Sequence, residues 1–248
     1  MDNKEGPTNH FSESTLPPAE FQVVGSKGEN MNNLEAILFD FDYTLADSSQ
    51  GVFDCANFAF KEMSLPEKPF IEISKTIGLP LSETFFQLTG TRETSRAKIF
   101  AQKFLERAEQ IMAEKTMLFD GVRPIMNVLR SNHIKTGIVS TKFRYRITNI
   151  LERHASLDCF DVIVGGEDVS KMKPDPKGLY MALDKLGVGR NQSVYLGDSL
   201  TDAETAKRAH IDFIAVLSGT TTRDEFRPYP VIGVIHSITE LPFLLNIS

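Results

Sequence analysis

The sequence predicts an α/β fold, a parallel sheet with helices on both faces, interrupted once by an inserted helical unit. Three observations predict it. Short apolar runs that end in acidic, hydroxyl or glycine residues recur along the chain. Amphipathic segments alternate with those runs. One long stretch between the first and second runs departs from that rhythm and has helical spacing instead.

Taken in order, residues 1–33 are polar, rich in Pro, Gly, Ser and Asn, and without period, so they are expected to be a disordered extension. Met31 stands just before the first core run and is a second candidate for the natural start, with the preceding residues then an extension or leader. Leu34–Phe39 is a short apolar run of the kind that makes a buried parallel strand. Lys135–Ser140, Asp161–Gly165, Ser193–Gly197 and Asp212–Val216 repeat it, and Val231–Ile235 is a weaker copy. Between them, Ile147, Ile150 and Leu151 share one helical face. So do Leu179, Ala182, Leu183 and Leu186, with Gly187 as the helix stop, and then Ala203, Ala206 and Ala209. Residues 40–134 are too many for one crossover. Within them Ala97, Phe100, Phe104, Ala108 and Ile111 recur at steps of three and four, which marks a long amphipathic helix. The expected division is a core domain of residues 34–49 and 119–248, with residues 50–118 forming a helical cap over the active edge of the sheet.

Composition narrows the function. The 248 residues carry a formal charge of −6, so there is no basic excess to neutralise a nucleic-acid backbone, and no nucleic-acid partner is expected. No apolar run has the length of a membrane span, and the start lacks the basic-then-apolar pattern of a secretory signal. A cytoplasmic protein with no membrane partner, monomeric or homodimeric, is the expectation. Cys55 and Cys159 lack metal-type spacing and are expected to be small core residues. The five histidines are scattered and are assigned no role.

The chemistry concentrates at the strand ends. The first run is followed by Asp40-Phe41-Asp42-Tyr43-Thr44. Two carboxylates one residue apart at a strand end repel each other unless a cation neutralises them, and a hard divalent ion bound through oxygen does so. Asp198 follows a later run and, in a parallel sheet, emerges on the same edge as a further oxygen ligand. Asp202 lies where it can orient Lys173 or the water shell of the metal, while Ser199 and Asp198 also suit a helix start. Ser140 and Thr141 offer a hydroxyl and backbone N–H groups for a phosphate at a strand–helix junction. Lys173 sits in a loop stiffened by Pro174 and Pro176, which would aim its ammonium in a fixed direction. Lys142 and Lys171 are read as solvated surface.

In this order, D-x-D-x-T, Ser-Thr, Lys-Pro and Gly-Asp-x-x-x-Asp, the ensemble resembles the haloacid dehalogenase superfamily of phosphohydrolases from Leu34 onward. The resemblance implies a Rossmann-like core with a C1-type helical cap. It implies Asp40 as nucleophile, Asp42 as general acid and base, Ser140 and the Thr141 backbone as phosphoryl ligands, and Lys173 as the group that orients Asp40. Thr44, Ser140, Thr141 and Lys173 would contact substrate. Mg²⁺ would be held by Asp40, the Asp42 main-chain carbonyl and Asp198, with Asp202 behind them. The implied reaction is hydrolysis of a small phosphorylated metabolite through an aspartyl-phosphate. Ile77–Phe86 and Gly165–Val169 are similar to the matching segments of phosphoglycolate phosphatases and related pyrophosphatases. A β-phosphoglucomutase-like phosphotransferase, a pyrophosphatase and a non-catalytic binding module on the same fold stay open. For the mutase, the distal-phosphate cation would have to come from Arg92, Arg96 or Arg144. One position departs from the family pattern: Tyr43 stands where glycine is usual, so it must fit a modified turn or turn its ring toward the cap.

Overall fold

The structure, a computed structural model, describes residues 33–247; the expected disorder of residues 1–33, apart from Asn33, and the candidate start at Met31 lie outside the described residues. Six parallel strands form one sheet in the order β5-β4-β1-β6-β7-β8. They are β1 (Ala36–Phe39), β4 (Lys135–Val139), β5 (Val162–Val164), β6 (Ser193–Gly197), β7 (Asp212–Val216) and β8 (Val231–Ile235). These are the six apolar runs, each trimmed by at most two residues at an end.

The pleat sorts β1 between two cores. Ile37 and Phe39 point to one face, where they pack with α5 (Val122–Ser131), α6 (Arg144–Arg153) and α9 (Leu241–Leu245). Ala36 and Leu38 point to the other, against α7 (Lys177–Leu186) and α8 (Leu200–Ala209). A strand buried on both faces needs apolar residues at every position, which is why β1 shows no polar alternation. The alanine stripe of α8 lets that helix lie close to the sheet, with Ala203, Ala206 and Ala209 all buried.

The insertion holds α1 (Ser49–Glu62), α2 (Phe70–Ser74), α3 (Leu81–Thr89) and α4 (Thr94–Ile111). It has its own core, in which the Phe100 ring lies 5.2 Å from Phe60, 5.5 Å from Phe85 and 6.1 Å from Phe104. Ile111, read as part of the α4 stripe, is only partly buried at its end. The chain leaves the sheet and returns through a two-stranded antiparallel clip, β2 (Ala46–Asp47) with β3 (Met117–Leu118). Both ends of the insertion are thus pinned beside the carboxyl end of β1. Cys55 and Cys159 are buried, and burial pushes the Cys55 thiol up to about 12, which leaves it protonated and inert. No helix among the described residues is long and apolar enough to cross a membrane.

Candidate active site

Strand order builds the site. β1 lies between β4 and β6, so the residues that follow these three strands meet at one edge. Asp40 follows β1, with its N–H donated to the Leu196 carbonyl of β6 at 2.9 Å. Ser140 follows β4, with its N–H on the Val164 carbonyl at 3.1 Å. Asp198 follows β6. Lys173 enters from the loop between β5 and α7.

Asp40, Asp198 and Asp202 each offer a carboxylate oxygen within 4.8 Å of the others, and all three side chains are buried. Lys173 Nζ stands 2.8 Å from Asp40 Oδ1 and 2.6 Å from Asp202 Oδ1, with only 4% of its side chain exposed. No other donor among the described residues reaches Asp40 Oδ1. Tyr195 completes the group by donating its hydroxyl to Asp202 Oδ1 at 2.8 Å. Three acids against one ammonium leave excess negative charge in a region shut off from water. Burial first, and then Asp202, push the Asp40 carboxyl up to about 7 despite Lys173. Burial, Asp202 and Asp40 hold Asp198 well above the usual carboxylate range. Burial opposes the charge on Lys173, yet Asp202 and Asp40 hold its pKa above the ordinary lysine value.

The oxygens of Asp202 are already engaged. Oδ1 accepts from Lys173 and Tyr195, and Oδ2 from the Ser199 N–H at 3.1 Å and the Ser199 hydroxyl. Asp202 therefore closes the capping box of α8 and steers Lys173. Asp40 and Asp198 retain open oxygens. Thr44, expected at the substrate, is fully buried and donates to Asp198 Oδ1 at 3.2 Å. Behind Asp198, a Cβ at Gly219 would collide with Oδ2, so glycine there leaves that carboxylate in its place. An acid cluster with surplus charge, open oxygens and a glycine cradle fits a hard divalent cation.

A cation that binds the ionised cluster must stabilise the fold in a pH-dependent way. The folded Asp40 carboxyl holds its proton from the ordinary value of 3.8 up to about 7, so stability falls as pH rises through that window. Mg²⁺ is therefore expected to raise the melting temperature strongly at about pH 8 and little at about pH 5. Scanning calorimetry at both pH values checks this, and equal shifts would speak against binding at the cluster.

Asp42 lies beside the acid cluster. Its Oδ1 accepts from the Ser48 hydroxyl at 2.5 Å and pairs with Lys142 Nζ at 2.7 Å. Lys142, read as solvated surface, keeps only 8% of its side chain exposed, so that reading is corrected. Lys171 is exposed. The Ser140 hydroxyl accepts from the Lys142 N–H at 3.3 Å. Thr141 donates its hydroxyl to the Gly78 carbonyl of the insertion at 3.1 Å. Gly166 N–H bonds the Lys142 carbonyl at 3.1 Å, and a Cβ there would strike the Thr141 carbonyl. The Gly165–Val169 motif thus supports the 140–144 loop from below.

Tyr43 fits a modified turn. It adopts a left-handed backbone, φ 59°, and its side chain is half-buried beside Ser74 of α2 and Ser49 of α1. Arg92 and Arg96 pair with Glu83 and Glu93, and Arg144 with Asp168; the Arg92 and Arg144 side chains are mostly exposed and Arg96 is partly buried. Sequence reasoning missed Ser48, Lys142, Tyr195 and Gly219. Lys142 directly follows the Ser-Thr pair, but that adjacency alone does not separate it from ordinary surface.

Comparison with known proteins finds similar chains among hydrolases. The family model described as haloacid dehalogenase-like hydrolase matches residues 37–216. A phosphoglycolate phosphatase of Xanthomonas campestris pv. campestris is 30% identical over 77% of this chain and 86% of its own length. The pyrophosphatase PpaX of Listeria monocytogenes serotype 4b is 29% identical over 71% of this chain and 80% of its own. A haloacid dehalogenase-like hydrolase from Bacteroides fragilis superposes with a TM-score of 0.81 at 40% identity, covering 84% of this chain and 99% of that one.

Proposed function

The chain belongs to the haloacid dehalogenase-like hydrolase family, and from that membership we propose that it is a Mg²⁺-dependent phosphatase that hydrolyses a small phosphorylated metabolite through an aspartyl-phosphate on Asp40. The observation that carries this reading is the buried cluster of Asp40, Asp198 and Asp202 around Lys173, with Asp42 beside it. A surplus of buried negative charge is costly for a protein with no use for it.

In the proposed reaction, an Asp40 oxygen attacks phosphorus as the bond to the ester oxygen breaks. Asp42 gives its proton to the departing oxygen. In the second half, Asp42 takes a proton from water, the hydroxyl attacks phosphorus, and the Asp40–phosphorus bond breaks to release phosphate. Splitting one displacement into two lowers each barrier. Lys173 holds the Asp40 carboxylate in place and offsets charge near it. The Ser140 hydroxyl and the Thr141 N–H hold the phosphoryl oxygens. Mg²⁺, held by Asp40, Asp198 and the Asp42 main-chain carbonyl, would screen the phosphate charge from the attacking carboxylate.

The test is phosphate release from a panel of phosphomonoesters and pyrophosphate, with and without Mg²⁺. Turnover that needs Mg²⁺, together with a beryllofluoride adduct visible by fluorine NMR, is the expected result. Absence of both would remove the phosphatase reading. Transfer between the positions of a sugar phosphate without net release would identify a mutase instead.

A further inference from the structure

Resting on the phosphatase reading, we propose that the natural substrate is the phosphomonoester of an alcohol with a bulky, uncharged and largely apolar body, which fills the cleft between the insertion and the core at Asp42. The cleft has a volume of about 530 Å³ and reaches from Asp42 and Thr141 on the core to α3 and α4 of the insertion. That volume is in the ordinary range for a small-molecule site and far exceeds what a short hydroxy acid such as glycolate fills.

Position identifies which part of the substrate goes there. Asp42 is the residue that meets the departing oxygen in the proposed reaction, and it lines the cleft. Whatever is bonded to that oxygen therefore projects away from the acid cluster and into the cleft.

The walls identify its chemistry. Leu79, Leu81, Ala101, Phe104, Leu105 and Phe143 line it, from both the insertion and the core. Two of its three basic residues are already engaged. Lys142 is already paired with Asp42 at 2.7 Å. Arg146 is buried and engaged by Glu109 and the Leu105 carbonyl. Lys98 is a solvent-exposed side chain. A carboxylate or a second phosphoryl group placed among those apolar walls would lose its water with only the exposed Lys98 left as a cation to meet it. An apolar body gains from the same burial.

The test is kcat/KM for a homologous series of n-alkyl phosphates from ethyl to hexyl, beside phosphoglycolate and pyrophosphate, in the presence of Mg²⁺. Each methylene is expected to raise kcat/KM about fourfold, with the hexyl ester above both charged substrates. Ala101→Phe, which fills the cleft, is expected to compress the hexyl-to-ethyl ratio by more than about tenfold. Turnover of the esters with no dependence on chain length, or a preference for phosphoglycolate or pyrophosphate, overturns the apolar-substrate inference and leaves the phosphatase reading standing. An unchanged ratio in Ala101→Phe overturns it as well, by placing the alkyl chain elsewhere. If no ester is turned over, the phosphatase reading falls on its own, and calorimetric titration with alkylphosphonates decides the cleft. Affinity that rises with chain length supports the apolar site, and affinity independent of it refutes the site.

Discussion

Asp40→Asn is expected to lower phosphate release by at least about 10⁴-fold, the scale seen when a nucleophile that works as part of a unit is removed. It is also expected to leave the melting temperature in the absence of Mg²⁺ unchanged or raised. The two effects have one origin. Asparagine keeps the shape of the side chain but cannot attack phosphorus, so the first half of the reaction is lost. It also removes one of three carboxylates from a buried cluster that holds a single ammonium. Burial and the neighbouring Asp202 already push the Asp40 carboxyl up to about 7, so its ionised form costs stability at neutral pH. Lys173 keeps Asp202 as a partner in the variant. A steady-state assay and a thermal melt on the same preparation check both parts. Residual turnover within about 100-fold of the parent would remove Asp40 as the nucleophile. A clear fall in melting temperature would mean that attraction to Lys173 outweighs repulsion among the acids.

The sheet was legible because a strand buried on both faces must be apolar throughout and must stop where the chain reaches the polar edge. Ala36–Phe39 followed at once by Asp40 shows both features. The parallel arrangement then places Asp40, Ser140 and Asp198 together without any contact being read from sequence. Elements that lack these features went unread. β2 and β3 have two residues each, too few to show a period. The stripe of Val122, Ile125, Met126 and Leu129 in α5 stands at helical spacing, and Pro124 in the first turn is tolerated there, yet it is not among the helical faces read from the sequence.

Within the site, the acids and Lys173 could be singled out because a charge beside an apolar run is unusual. Their partners could not. The Thr44 hydroxyl goes to Asp198, and the Tyr195 hydroxyl emerges from the middle of a core strand to meet Lys173 and Asp202. Gly219 is needed only because Asp198 Oδ2 lies against it. Each depends on a neighbour brought close by folding. Lys142 shows the same limit: a lysine in a loop is ordinary surface until a carboxylate such as Asp42 is folded against it.

Lys173→Met is expected to cost both activity and stability. It removes the cation at the centre of the cluster while keeping the length of the side chain. Asp202 would still accept from Tyr195 and Ser199. Asp40 Oδ1 would be left without a partner among the described residues. Breaking a buried pair from one side leaves an uncompensated charge, for which about 3–5 kcal/mol is the usual loss. That loss should depend on pH. The remaining carboxyls can escape the penalty by binding protons, so the variant approaches the parent as pH falls from about 8 to about 5, and departs from it as pH rises. Urea unfolding of both proteins at the two pH values measures the difference, and added Mg²⁺ should recover part of it at the higher pH. A difference that does not change with pH would instead assign the loss to packing of the lysine stem against Tyr195. Turnover should fall by about 10²–10³-fold, because a fixed charge beside the attacking carboxylate is gone. Recovery of stability by Mg²⁺ without recovery of turnover would separate the two contributions of Lys173: balancing the charge of the acids, which a divalent ion can take over, and aiming Asp40, which it cannot.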